Sequence, residues 1–181
     1  MFGGAGSSLR WKMREAAGVY VSADTIALVR LSAPEDMGGA WMVSESHIAE
    51  NRGTDGLEAT TLASRVHEEL LRVGWKNLPL AFAVPEGAAQ TKEQELPAPL
   101  AAPELRDALL WSLRAAADAE GTVLPADICI CCAPLPGTSP QRFWTAWMDA
   151  ARVREYFSSF AAAGLHLRRV TVCPPQGGIC A

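Results

Sequence analysis

Residues 18–31 read GVYVSADTIALVRL. Val19 to Val21 and Ile26 to Leu31 are rich in β-branched and apolar residues, and Ser22-Ala23-Asp24-Thr25 between them is a polar turn, so the stretch predicts an antiparallel hairpin. Such a hairpin buries its apolar positions only if further elements pack on it. The flanking sequence supplies them. After the loop APEDMGGA, a third strand is expected from Trp41 to Ile48. From Thr54 to Lys76, Leu62, Val66, Leu70 and Val73 recur at helical spacing, with Thr54 or Asp55 as the cap and Gly74 near the end. LPLAFAVP, residues 78–85, is a continuous apolar run of the kind that forms a strand buried on both faces.

A second group of elements follows. Thr91 to Leu96 reads as a short strand, and Pro103 sits where a first helical turn tolerates proline. Leu105, Leu109 and Leu113 mark one face of the next helix, which Gly121 stops. ADICICCAPL and QRFWTAWMDA, joined by PGTSP, form a strand pair. A third helix from Ala151 carries Val153, Phe157 and Phe160 on one side and ends at Gly164, and LHLRRVTVCPP supplies a closing strand. The whole order is β-β-β-α-β, then β-α-β-β, then α-β.

Composition removes several function classes. Among 181 residues 49% are apolar and 20% charged, with a net charge of −4, which suits a packed soluble core and gives no bulk attraction to nucleic acid or anionic lipid. Charged residues and prolines break each apolar stretch well before the roughly 20 residues needed to span a bilayer. The leader MFGGAGSSLRWKMREAAG lacks the apolar core of a secretory signal, so a cytoplasmic location is expected, and Leu9, Trp11 and Met13 are read as part of a loosely ordered tail. Five cysteines in such a chain argue against a disulfide framework.

No residue constellation announces catalysis. The sequence holds no G-x-S-x-G, H-E-x-x-H, Walker or G-x-G-x-x-G motif, and His47, His67 and His166 have no ligand-spaced neighbours. Cys129 and Cys131 fall on one face of a strand and Cys132 on the other, so the three cannot converge on one metal, and they are expected to fill a sheet core. Cys173 and Cys180 flank the PPQGG turn. Trp144 and Trp147 lie on opposite faces of one strand, and Trp111 falls beside the leucine row of the second helix; core filling accounts for most of the tryptophans, with an aromatic-lined surface for a partner peptide as the alternative.

The element order and four stretches resemble the N-terminal half of the PilM family, actin-like proteins of type IV pilus assembly, and their relatives in type II secretion and the division protein FtsA. The family opens on a glycine-hydrophobic-aspartate-hydrophobic-glycine turn followed by a hydrophobic-lysine pair, and Gly18, Val19, Val21, Ile26, Val29 and Leu31 keep its apolar frame. ELPAPLAAPELRDALLW resembles the family's acidic helix with a central tryptophan, Leu124-Pro125 its following LP, and YFSSFAAAGLHLRRVTVCPP the helix that leads into the closing strand.

The resemblance implies a ribonuclease-H-like, actin-like first lobe at 17–87 and 151–176, a strand-helix-strand-strand subdomain inserted at 88–150, a leader at 1–16 and a tail at 177–181. In ATP-binding relatives the first turn uses an aspartate for Mg²⁺, glycine for the phosphates and a lysine for their charge. The matching places here hold Tyr20, Ser22 and Ala27, and neither a neutral phenol nor alanine does that work. Asp24 is displaced from the metal-organising place. The family's second lobe, which completes the nucleotide cleft, lies beyond this sequence. The expectation is therefore a non-catalytic scaffold with no cofactor and no metal, held at the cytoplasmic face of the inner membrane by the extended tail of a PilN-like protein. In the family that tail docks between the main lobe and the inserted subdomain. Leu80, Phe82 and Val84 on the strand entering the subdomain, with Leu110, Trp111 and Arg114 on its helix, are the candidate contacts. The alternatives are a reduced ATPase that borrows its second lobe from another polypeptide, and self-association through the inserted subdomain.

Overall fold

The computed structural model describes residues 14–33, 40–51, 58–84, 87–96, 100, 102–135 and 141–172. The opening hairpin forms as the sequence predicts. β1 (Glu15–Val21) and β2 (Thr25–Ser32) pair antiparallel with Val21 opposite Ile26, and β3 (Met42–Glu50) adds antiparallel to β2. Helix α1 (Ala59–Arg72) then crosses over, so that β4 (Pro79–Val84) lies parallel to β1. After a second sheet, described below, α3 (Ala150–Ala162) makes another crossover and β8 (His166–Val172) pairs parallel to β4. The resulting order, β3-β2-β1-β4-β8, is a ribonuclease-H-like sheet.

Alternation decides what this sheet buries. Ala17, Val19, Val21, Ile26, Leu28, Leu80, Phe82 and Val84 point to one face, where Leu62, Val66 and Leu70 of α1 and Tyr156 and Phe160 of α3 cover them. Phe82 is the centre of the aromatic packing, 5.3 Å from the Tyr156 ring and 5.0 Å from that of Phe160. Arg152 stands over the far side of Tyr156, 5.6 Å from its centroid. At Gly18 a Cβ would meet Val29 Cγ2 of the paired strand at 2.8 Å, so the close β1–β2 approach needs glycine there. Gly74, Gly121 and Gly164 take positive φ just after the three helices, as the sequence predicts for helix stops.

Two local expectations change. Helix α1 starts at Ala59, its preceding residue Glu58 makes no side-chain cap bond, and Thr54 and Asp55 lie outside the described residues. The α3 face turned to the core is Ala150, Tyr156, Ser159 and Phe160; Phe157 is exposed at its border, because a 100° step per residue moves it off the stripe that Tyr156 occupies. Trp75, just past α1, joins the core and donates its Nε1–H to Glu45 at 3.0 Å.

The elements between β4 and α3 build a separate sheet. β5 (Gln90–Leu96), α2 (Ala102–Glu120), β6 (Ile128–Pro134) and β7 (Gln141–Asp149) follow in sequence, and the strands pair antiparallel in the order β5-β7-β6. Leu105, Ala108 and Leu109 of α2 pack on Leu96, Phe143, Ile130 and Cys132, a second apolar cluster. Met148 of β7 belongs instead to the first core, which ties the two sheets together. Asp149 accepts a hydrogen bond from the Ala151 backbone N–H at 2.7 Å, so the strand passes into α3 through a capped turn.

Candidate partner-binding groove

Two clefts separate the second sheet from α3 and β8, one on each side of β7. The larger, about 730 Å³, lies on the α2 side and is lined by Gln90, Lys92, Leu113, Leu124, Pro125 and Arg152 among others. Its charged groups are paired: Lys92 Nζ of β5 is 3.2 Å from Glu120 Oε1 of α2, and one turn apart along α3 Arg152 Nη1 is 2.8 Å from Glu155 Oε2.

The smaller cleft, about 280 Å³, has a different character. Its floor is the face of the second sheet turned away from α2, with Cys129, Cys131, Ala146 and Met148. Val153 and Phe157 of α3 form one wall, and Arg168 to Val172 of β8 form the other. β6 ends the second sheet and β8 ends the first, so two terminal strands meet at this cleft. Trp147 and Met148 line both clefts and divide them.

The cysteines occupy the faces that strand alternation assigns them. Cys132 packs with the α2-side cluster, whereas Cys129 and Cys131 open on the cleft. Cys129 is exposed, and Cys131 and Cys132 are partly so, which corrects the expectation of buried core filling: among the described residues β6 ends its sheet, with no strand paired on its outer flank. Among the described residues no three His, Cys, Asp or Glu side chains gather to hold a metal. Cys173 and Cys180 lie outside the described residues. His47 is 3.5 Å from Glu69 and 3.1 Å from Arg72, a surface cluster rather than a ligand set.

The candidate contacts named from the sequence fall into two separate places. Leu80, Phe82 and Val84 are each at most 2% exposed within the first core, so their side chains offer no surface to a peptide. Leu110, Trp111 and Arg114 lie on the outward side of α2, with Leu110 half-buried, Arg114 exposed and Trp111 74% exposed. The structure does not bring the two sets together. Val153 and Phe157, read from the sequence as part of the apolar side of the third helix, and Val170 of β8 line the smaller cleft, a role that the sequence did not mark.

The β1–β2 turn brings together Tyr20, Ser22 and Ala27, the positions that the sequence resemblance matches to nucleotide-binding places. Tyr20 and Ala27 are directly paired, and Ser22 sits beside them. The turn spends its polar groups on itself. Ser22 and Thr25 hydroxyls donate to Asp24 Oδ1 at 2.7 and 3.3 Å, the Thr25 N–H donates to Ser22 Oγ at 3.1 Å, and the Ser22 N–H to the Thr25 carbonyl at 2.8 Å. Asn51 closes it from outside, donating to the Ser22 carbonyl at 2.7 Å. The Ser22 hydroxyl, followed by the backbone and Thr25, holds the Asp24 carboxyl below the usual carboxylate range.

No protein-family model matches the chain, and no curated protein matches it in sequence. Solved structures do. A chain of a PilM-PilN type IV pilus biogenesis complex superposes with a TM-score of 0.64 at 18% identity, over 88% of this chain and 47% of that one. The cytoplasmic domain of EpsL, an inner membrane component of the type II secretion system of Vibrio cholerae, gives 0.51 at 15% identity, over 87% and 57%. A Bacteroides thetaiotaomicron protein with an actin-like ATPase fold and unknown function gives 0.40 at 6% identity, over 88% and 52%. The chain thus spans about half the length of the solved proteins it matches. In fold it is the actin-like lobe that the sequence resemblance implies, with β5-α2-β6-β7 set between its fourth strand and its last crossover helix.

Proposed function

We propose that the chain is a non-catalytic assembly component of a type IV pilus or a related type II secretion platform, and that it binds the extended cytoplasmic tail of a PilN-like inner-membrane protein in the smaller cleft. The observation that carries this reading is the cleft's construction. Apolar side chains from three elements surround a channel flanked by two sheet-terminal strands. An extended peptide needs both features, because alternate side chains enter apolar pockets while its main chain runs alongside a strand. The larger cleft suits this less well, since its cations Lys92 and Arg152 already hold carboxylate partners.

Fold likeness to a chain from a PilM-PilN complex supports the choice of partner. The self-satisfied β1–β2 turn supports a non-catalytic role, since neither a charged side chain at Tyr20 or Ala27 nor a spare N–H at Thr25 or Ser22 is there to meet a triphosphate. Among the described residues no helix is long and apolar enough to cross a membrane. In this reading the partner's tail provides attachment at the inner membrane. Titration of the protein with a synthetic N-terminal peptide of the PilN-like protein encoded beside it, followed by calorimetry, tests the reading. Saturable binding that the Phe157→Ala variant weakens is expected. No binding at high micromolar peptide refutes it.

A further inference from the structure

Strand β3 closes one end of the first sheet, and its surface is unlike the rest of the molecule. Four of the nine large apolar residues exposed among the described residues lie on it or directly before it: Trp41 (44%), Met42 (64%), Val43 (62%) and Ile48 (74%). Val43 and Ile48 are paired with Leu31 and Ala27 of β2, so they continue that strand's half-buried apolar row on the face that α1 and α3 do not cover. Edge strands are ordinarily guarded by charged residues, above all lysine, by proline, a bulge, short length or a covering element. This one is nine residues long, MVSESHIAE, and contains no lysine, arginine or proline; its register shift lies near its start, between the Arg30–Glu45 and Leu31–Val43 pairs, and Glu45 to Glu50 run in unbroken register with β2.

The direction of its backbone groups follows from one hydrogen bond. The Asn51 N–H donates to the Asp24 carbonyl at 2.7 Å, one step beyond the Glu50–Thr25 pair. Hydrogen-bonded and non-hydrogen-bonded pairs alternate in an antiparallel ladder, so Ala49 and His47 bond inward to β2 while the N–H and C=O of Ile48 and Ser46 point to the outer edge. Ser46 lies between Glu45 and His47, and those two stand on the same face, toward α1. A two-fold axis through Ser46 therefore sets Ser46 against Ser46 of a second chain, and Glu45 of each copy against His47 of the other. The outward backbone groups are satisfied at this alignment, and each copy's Glu45, already bonded to Arg30 and Trp75, gains an imidazole beside it. An axis one residue further on would oppose His47 to itself.

We propose that β3 pairs with β3 of a second copy of this chain, antiparallel and centred on Ser46, to make one sheet that runs through both molecules. The contact is isologous and closes on itself, so it yields a dimer and not a fibre. It is separate from the cleft at β6 and β8, which lies at the other end of the first sheet.

Sedimentation velocity of the full chain across the micromolar range reads the assembly directly. The wild type is expected to move from one-chain to two-chain mass as concentration rises. Ser46→Pro, which removes an edge donor, and Ile48→Lys, which places a guard charge on an exposed site, are each expected to weaken dimerisation at least about tenfold. Circular dichroism melts within a few degrees of the wild type for Ile48→Lys show that the fold survives. Ser46→Cys supplies the register: paired Cα atoms about 5.5 Å apart lie within disulfide reach, so mild oxidation is expected to give a covalent dimer that the parent chain does not. One-chain mass throughout, higher oligomers in place of a dimer, or a dimer indifferent to these substitutions would each overturn the proposal.

Discussion

Phe82 separates two roles that a buried strand residue can be assigned. Its ring is fully buried between β1 and β8 and touches Tyr156 and Phe160 at centroid distances of 5.3 and 5.0 Å. Truncation to alanine removes that ring from a packed core, and substitutions of this class cost about 3–5 kcal/mol, since transfer and cavity terms add. For a chain of this size each kcal/mol lowers Tm by roughly 2–4 °C, so Phe82→Ala should melt about 6–20 °C below the wild type. Phe82→Leu retains most of the volume and loses mainly the aromatic pairs, a cost on the order of 1–2 kcal/mol. Thermal melts by circular dichroism measure both, and calorimetric titration on the folded Phe82→Leu protein gives its affinity for the tail peptide. If Phe82 is purely core, that affinity stays within about twofold of the wild type. A Phe82→Ala melt within about 2 °C of the wild type, or a Phe82→Leu protein that folds normally and loses the peptide, would refute the reasoning.

Phe157 should behave in the opposite way. It is 38% exposed on the cleft wall, so Phe157→Ala is expected to shift Tm by only a few degrees while weakening the tail peptide about tenfold in calorimetry. Burial raises the Tyr156 phenol above its ordinary pKa, with the Arg152 guanidinium opposing that rise. A raised folded-state value means that the unfolded chain ionises first, so this contribution is complete below about pH 10 and is lost as pH climbs through the folded value. Urea denaturation should show stability falling on the alkaline limb, and Tyr156→Phe should flatten that fall. Asp24 carries the reverse sign, because its folded pKa is depressed: its contribution is present above the ordinary carboxylate range and lost as pH drops through the lower folded value. A carboxyl titration followed by NMR is expected to place its midpoint below those of other exposed aspartates, and Ser22→Ala should raise it.

The split-ATPase alternative has its own discriminating measurement. Fluorescent ATP-analogue binding, with and without a candidate second chain, is expected to be undetectable for this protein. Replacing Tyr20 alone with aspartate should not create binding, because the turn's N–H groups at Ser22 and Thr25 already serve Thr25 and Ser22.

The elements were legible in the sequence because each carries its own period. Alternation marked the hairpin, the 3.6-residue stripe of Leu62, Val66 and Leu70 marked α1, and the unbroken run through Leu80, Phe82 and Val84 marked a strand with a sheet neighbour on each side. Glycines at 74, 121 and 164 ended the helices where positive φ is needed. Periodicity, however, states how many faces an element buries and not which neighbour buries them. Leu80, Phe82 and Val84 were candidates for a partner and for the core alike until β8 and α3 were seen to enclose them. The same limit hid the cleft. Its walls come from β6, α3 and β8, none of which carries a local mark of facing the others, and Cys129 read as core because nothing along the chain says that β6 is an edge.

The sequence by itself thus determined the order of strands and helices, the apolar frame of the lobe, and the chemical poverty of its first turn, all of which are properties of neighbours along the chain. Only the tertiary structure decided that α3 turns Tyr156 inward and Phe157 outward, that two sheet ends meet at one apolar cleft, and that β3 ends the sheet on the opposite side with exposed apolar residues. Those facts depend on which surfaces compete for burial once distant segments pack, and the free energy of that competition belongs to the assembled sheet and to no single segment of it.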